Sequence, residues 1–244
     1  MTENHSPLEQ FTIKRIFDLN LGGIDVSFTN SAAFMIVSII LIGSLMILGS
    51  RKKLLIPNRW QNLVEITYEL VAKTVRDNIG DEGKKFFPFI FSLFIFILFC
   101  NGLGLIPYSF TVTSHIIVTF TFATLVFVGV TILGFFRHGL KFFSIFLPPG
   151  VPIFLAPLLI PIEIISYLSR PVSLSVRLAA NMMAGHTMIK VFAGFVVALG
   201  LYGIAPLLFL VAIYALETLI AFLQAYVFAV LTCLYLNDAI HMQH

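Results

Sequence analysis

Five stretches of this chain are too long and too apolar to be anything but membrane-crossing segments, and they set the limits of every fold it can adopt. About 30 Å of hydrocarbon needs roughly 20 apolar residues in a helix, and runs of that length recur at 32–50, 86–107, 116–136, 162–200 and 204–236. Only 11% of the 244 residues are charged and 59% are hydrophobic, 26 of them phenylalanine. A soluble domain carries about 25% charged residues, so water-facing folds are excluded. The expectation is an all-α membrane protein, one membrane domain over 1–244, of about five membrane-embedded helices.

The segments between the runs set the orientation. Residues 57–85 place Leu63, Ile66, Leu70 and Val75 near helical spacing, with Glu65, Glu69, Lys73, Arg76 and Asp77 at other positions. That pattern predicts an amphipathic helix at the membrane interface, or an ordinary loop helix. Lysine and arginine number two in the N-terminal tail, eight in 51–85, none in 108–115 and two in 137–141. The positive-inside rule puts the two basic loops on the inner side and the N-terminus outside. Residues 142–161 hold Pro148, Pro149, Pro152, Pro157 and Pro161, which predicts a packed connection or re-entrant turn instead of a regular crossing. The last two runs are longer than a perpendicular crossing requires, so a strongly tilted hairpin is expected, turning at 200–203.

Several function classes are excluded early. A net charge of +3 with the basic residues beside apolar runs gives no patch for nucleic acid. Cys100 and Cys233 lie inside apolar runs with no C-x-x-C, and read as small buried hydrophobes. No H-E-x-x-H, glycine-rich phosphate loop or G-x-S-x-G is present, so no metal, no cofactor and no covalent catalysis is expected.

The polar residues left inside the last two runs carry the functional signal, because a charge at the bilayer centre costs about 2.5–3.5 kcal/mol. Arg177 cannot lose its proton to escape that cost. Glu163 is 14 residues before it, about 21 Å along a helix, so the expectation is an anionic partner, with another chain one place to find it, or water. At 100° per residue Glu163, Arg170, Arg177, Asn181 and Met188 fall on one stripe, and His186 falls on the opposite face about 13 Å beyond Arg177. On the last run Glu217, Ala221, Gln224 and Phe228 share a face. The sequence at Arg170-Pro171 reads either as part of the stripe or as a loop between two shorter helices. His115 and His138 stand at the ends of apolar runs and read as structural.

The run from Ser169 to His186, Ser-Arg-Pro-Val-Ser-Leu-Ser-Val-Arg-Leu-Ala-Ala-Asn-Met-Met-Ala-Gly-His, closely resembles the signature of subunit a of the rotary F-type ATP synthase. Pro107 to His115, Gln224 to Phe228 and Tyr235 to Ala239 extend the likeness over nearly the whole chain. The resemblance implies proton translocation through two offset half-channels that meet a rotating ring of c subunits, coupling a proton gradient to ATP synthesis. By that likeness Arg177 faces the ring carboxylate, and Asn181 and Gln224 stand near it. Glu163 belongs to the inner-side channel, and His186 with Glu217 forms the relay of the outer-side channel. The exchange of acid and histidine between those two positions is similar to alphaproteobacterial and mitochondrial members. The likeness further implies a non-catalytic subunit with the c ring, peripheral-stalk b subunits, other synthase subunits and lipid as partners. It would sit in a bacterial inner membrane or, alternatively, a mitochondrial one. An independent ion channel or secondary transporter is the competing class, and an intramembrane hydrolase a more distant one.

Overall fold

The computed structural model describes residues 12–18, 20–21, 24–25, 27–51, 57–106, 109–139, 141–142 and 153–241. Lys52, Lys53, Pro107, Tyr108, Pro148, Pro149 and Pro152, all used in the sequence reading, lie outside the described residues. Six long helices are present: α1 (Asn30–Ser50), α2 (Arg59–Ile79), α3 (Phe87–Gly104), α4 (Ile116–His138), α5 (Ala156–Leu199) and α6 (Ile204–Ile240). All but α2 are long and apolar enough to cross a membrane.

Ahead of α1 the chain makes two nested antiparallel pairs that the sequence reading did not foresee. Strands β1 (Arg15–Phe17) and β4 (Phe28–Thr29) pair, and β2 (Asn20–Leu21) pairs with β3 (Ile24–Asp25). Strands of two or three residues are too short to show a period in the sequence. Asn30 explains the outer pair: its backbone N–H donates to the Lys14 carbonyl, its side-chain oxygen accepts from Lys14 N–H, and its amide donates to the Thr12 carbonyl. The Thr29 hydroxyl then accepts from Ala32 N–H and caps α1.

Helix α2 is amphipathic, as the spacing predicts, and its apolar positions divide between the bundle and its outside. Val71, Thr74, Val75 and Ile79 are buried, whereas Leu63 and Ile66 are exposed together with Trp60. The fully buried positions lie in the C-terminal half of α2, while its N-terminal half meets α1 through Val64, against which a Cβ at Gly49 would lie 2.6 Å from Cγ2. Gly83 lets the C-terminal half close down, since a Cβ there would lie 2.7 Å from Val75 Cγ1. The helix stops at Gly80, whose φ of +80° suits glycine alone.

The core runs between α3, α4 and α6. Ile90, Phe94 and Ile97 of α3 meet Ala225, Phe228, Ala229 and Cys233 of α6, with Ala123, Val126 and Val130 of α4 beside them. Alanines and a cysteine at 221, 225, 229 and 233 recur every fourth residue, so one smooth stripe of α6 admits its neighbours closely. Both cysteines are buried and free.

Helix α5 corrects the sequence reading twice. It begins at Ala156, inside the expected 142–161 connection, because Pro157 stands in the first turn, where no N–H is needed. It then continues unbroken through Pro161 and Pro171 to Leu199, so no loop separates two shorter helices at Arg170. The Arg170 guanidinium lies over the rings of Tyr167 and Tyr235, 5.3 and 5.1 Å from their centroids, and pairs with Asp238 at 3.0 Å. These contacts place the turn before Pro171 beside α6. At 1.5 Å per residue the 44 residues of α5 span about 66 Å, twice the hydrocarbon thickness. The turn at Gly200–Gly203 folds α6 back along it, as the hairpin reading required.

Candidate functional site

Helices α5 and α6 carry two polar zones with opposite surroundings. In the first, His186 of α5 and Glu217 of α6 are both buried, with Glu217 only 3% exposed. His186 Nε2 and Glu217 Oε1 are 3.5 Å apart. The Thr111 hydroxyl, from the segment between α3 and α4, is hydrogen-bonded to the same His186 Nε2 at 2.9 Å. Neither carboxylate oxygen of Glu217 has a hydrogen-bond partner among the described residues. A buried carboxylate in that condition is poised to exchange a proton with the imidazole or with entering water.

The approach of the two helices is set by Gly185. A Cβ built there would stand 2.7 Å from Glu217 Oε1 and 2.8 Å from Cδ. Only a hydrogen fits between α5 and the carboxylate. One turn along α6, the amide of Asn101 on α3 donates to the Ala221 carbonyl at 3.0 Å, and its own side-chain oxygen is buried with no hydrogen-bond partner among the described residues. Gly104, one turn further on α3, receives Thr111 against its backbone; a Cβ there would meet Thr111 Cγ2 at 2.7 Å. Asn101 and Thr111 were not singled out from sequence. The available signals were a lone amide within an apolar run and a hydroxyl-rich link, 109–114, free of lysine and arginine.

The second zone is open to the outside of the bundle. Arg177 is exposed near the middle of α5, 21 residues after Ala156 and 22 before Leu199. Its exposed neighbours on that helix are the apolar Val176, Ala180, Met183 and Ala184, with Ser173 one turn before it. No carboxylate among the described residues pairs with it. A guanidinium with no carboxylate partner among the described residues, on a largely apolar helix face, calls for an anion or water beside it.

Glu163, Asn181 and Gln224 are half-buried. Among the described residues no hydrogen bond or ion pair joins them to Arg177 or to the His186–Glu217 pair. Arg170, which the helical wheel placed on the stripe, is turned to Asp238. His115 and His138, read as structural from the sequence, make packing and backbone contacts. His115 stacks on Phe110 with centroids 5.0 Å apart, and His138 Nε2 lies 3.1 Å from the Ala239 carbonyl.

Fold and site together define a polytopic membrane protein with a titratable pair sealed between two long helices and an unbalanced cation on the outer face of one of them. A family model described as ATP synthase A chain matches residues 32–237. Over 241 residues the chain is 58% identical to ATP synthase subunit a of Pelagibacter ubique (strain HTCC1062), covering 98% of this chain and 99% of that one. Similar likenesses, both 54% identical, extend to subunit a of Parvibaculum lavamentivorans over 245 residues (98% and 94% covered) and of Paramagnetospirillum magneticum over 244 (97% and 99%). The chain belongs to the ATP synthase A chain family.

Proposed function

We propose that this chain, a membrane component of ATP synthase, conducts protons through two offset half-channels to and from a ring of c subunits and so couples a proton gradient to ATP synthesis. One observation carries the reading: an exposed arginine at mid-helix, with no carboxylate partner among the described residues, stands on the face of α5 opposite a buried His–Glu pair, nine residues and about 13 Å away. On this reading a proton enters from the outer side through His186 and Glu217 and neutralises a ring carboxylate, which can then move into lipid. A ring carboxylate returning from lipid gives up its proton near Arg177 to the inner side by way of Glu163, with Asn181 and Gln224 beside the path. An ionised carboxylate does not enter hydrocarbon cheaply, so rotation follows proton flow. Each 100 mV contributes about 2.3 kcal/mol per proton.

The chain itself is non-catalytic in this reading, is held by peripheral-stalk b subunits against the c ring, and resides in a bacterial inner membrane. The close likeness to bacterial relatives over the whole chain supports that setting. Affinity isolation of the tagged chain from native membranes tests it. The c ring is expected to copurify, and the chain alone in liposomes is expected to pass no protons. Transport by the isolated chain would instead establish an independent channel or transporter.

A smaller test bears on the outer path. Gly185→Ala forces the added methyl against the Glu217 carboxylate, and overpacking of this kind costs about 1–3 kcal/mol. The carboxylate must swing away from His186. ATP-driven proton pumping in inverted vesicles is expected to fall several-fold while the chain still assembles. An unchanged rate would remove the pair from the path.

A further inference from the structure

The ion pair between Arg170 and Asp238 is unused by the reading above, yet it stands beside the most consequential charge in the molecule. Arg170 precedes Arg177 by seven residues, two helical turns, which puts the two guanidinium-bearing positions on one face about 10 Å apart along the axis. Lys190, the remaining cation on α5, is 13 residues beyond Arg177 and turned to the other side of the helix. Asp238 holds Arg170 by a single contact, Nη1 to Oδ2 at 3.0 Å, from the last turn of α6. The stacking of Arg170 between Tyr167 and Tyr235 fixes where its charge sits, and the Tyr167 hydroxyl is in turn held 2.7 Å from Thr131 of α4.

We propose that Asp238 is a positioning residue that balances the charge of Arg170, leaving Arg177 as the one unbalanced cation on that face of α5 among the described residues. The inference rests on the proposed function, since it concerns what an arriving ring carboxylate meets. With Asp238 in place, the attraction that ionises the carboxylate is centred on Arg177. Without it, a second positive charge two turns nearer the inner side competes for the same anion. At about 10 Å and an effective dielectric near 20, one unit charge changes the proton affinity of a carboxylate by roughly tenfold. The carboxylate would be held ionised past the point where it must accept a proton again.

A purely structural role makes a different forecast. The side chains of the pair are 30% and 52% exposed, and partly exposed pairs contribute little to folding. If the pair only fastened α6 to α5, removing both partners would be at least as harmful as removing one.

The experiment uses the assembled synthase in inverted membrane vesicles, with ATP-driven proton pumping measured per assembled complex. D238N is expected to pump at least fivefold more slowly, R170Q/D238N to return to within about twofold of the unsubstituted enzyme, and D238E to keep most of the rate. A double variant as slow as D238N, or a D238N variant that pumps normally, overturns the proposal. Should D238N not accumulate, the double variant decides alone: near-normal pumping supports charge balance, and its failure overturns it. R177A in the same vesicles separates the two levels of inference. If R177A pumps normally, the proposed function fails; if R177A is dead while D238N is unaffected, only the role of Asp238 falls.

Discussion

Vesicles carrying Arg177→Ala synthesise ATP under an imposed proton gradient at less than about one per cent of the unsubstituted rate, on the expectation that the arginine supplies the roughly 3 kcal/mol an ionised carboxylate needs at mid-membrane. The guanidinium is exposed on α5 among apolar neighbours and has no carboxylate partner among the described residues. Alanine at this exposed position leaves the bundle core untouched, so the chain is expected to assemble in normal amounts. The loss is therefore expected in coupling and not in stability. Without a fixed cation, ring carboxylates can pass the stator still protonated, and protons slip without doing work. Passive proton leak through the membrane sector should persist while driven synthesis disappears. Normal synthesis by the variant would sink the assignment of Arg177.

The second large effect is expected at Glu217. Glu217→Gln keeps the size and removes the exchangeable acid from a site where the carboxylate is buried, lies 3.5 Å from His186 Nε2 and has no hydrogen-bond partner among the described residues. A positioned acid–base group contributes about 10²–10⁴-fold to a proton transfer, so passive proton flux through membranes stripped of the catalytic head should fall at least about a hundredfold. The amide can donate to His186 or Thr111, so packing between α5, α6 and the 111 segment is retained. A flux within twofold of the unsubstituted chain would place the outer path elsewhere.

The two expected effects differ in how they could be read from sequence. Arg177 announces itself, because an arginine in a 39-residue apolar run has no way to become neutral and no carboxylate within reach on its own helix. His186 and Glu217 could be named as polar residues in apolar runs, and the family likeness pairs them. Their separation, the third member Thr111 and the tight fit at Gly185 depend on how two residues 31 positions apart on consecutive helices come together, and periodicity along one helix carries no information about that. Asn101 is the clearest omission. Its amide reaches across to a backbone carbonyl on α6, 120 residues away, and only the packed bundle reveals that acceptor.

Helix α5 shows the same limit from the side of the backbone. Pro157, Pro161 and Pro171 read locally as breaks, and local rules have no access to the two tyrosine rings and the carboxylate that meet Arg170 beside the last of them. At α2 the period was legible and the depth of burial was not, since Leu63 and Ile66 belong to the apolar face yet stay largely exposed while Val71, Val75 and Ile79 are buried.

By itself the sequence determined the solvent this chain folds in, the number of long helices, the hairpin of the last two and the presence of an arginine that needs an anion or water beside it. Those follow from run length, turn residues and the fixed cost of charge in hydrocarbon, all of which are local properties of the chain. The tertiary structure alone decided which polar groups share a site, that α5 runs unbroken past its prolines, and that, among the described residues, Arg170 has a carboxylate partner while Arg177 has none. Each of these is set by side chains meeting across helices, where a difference of one turn in register changes the partner.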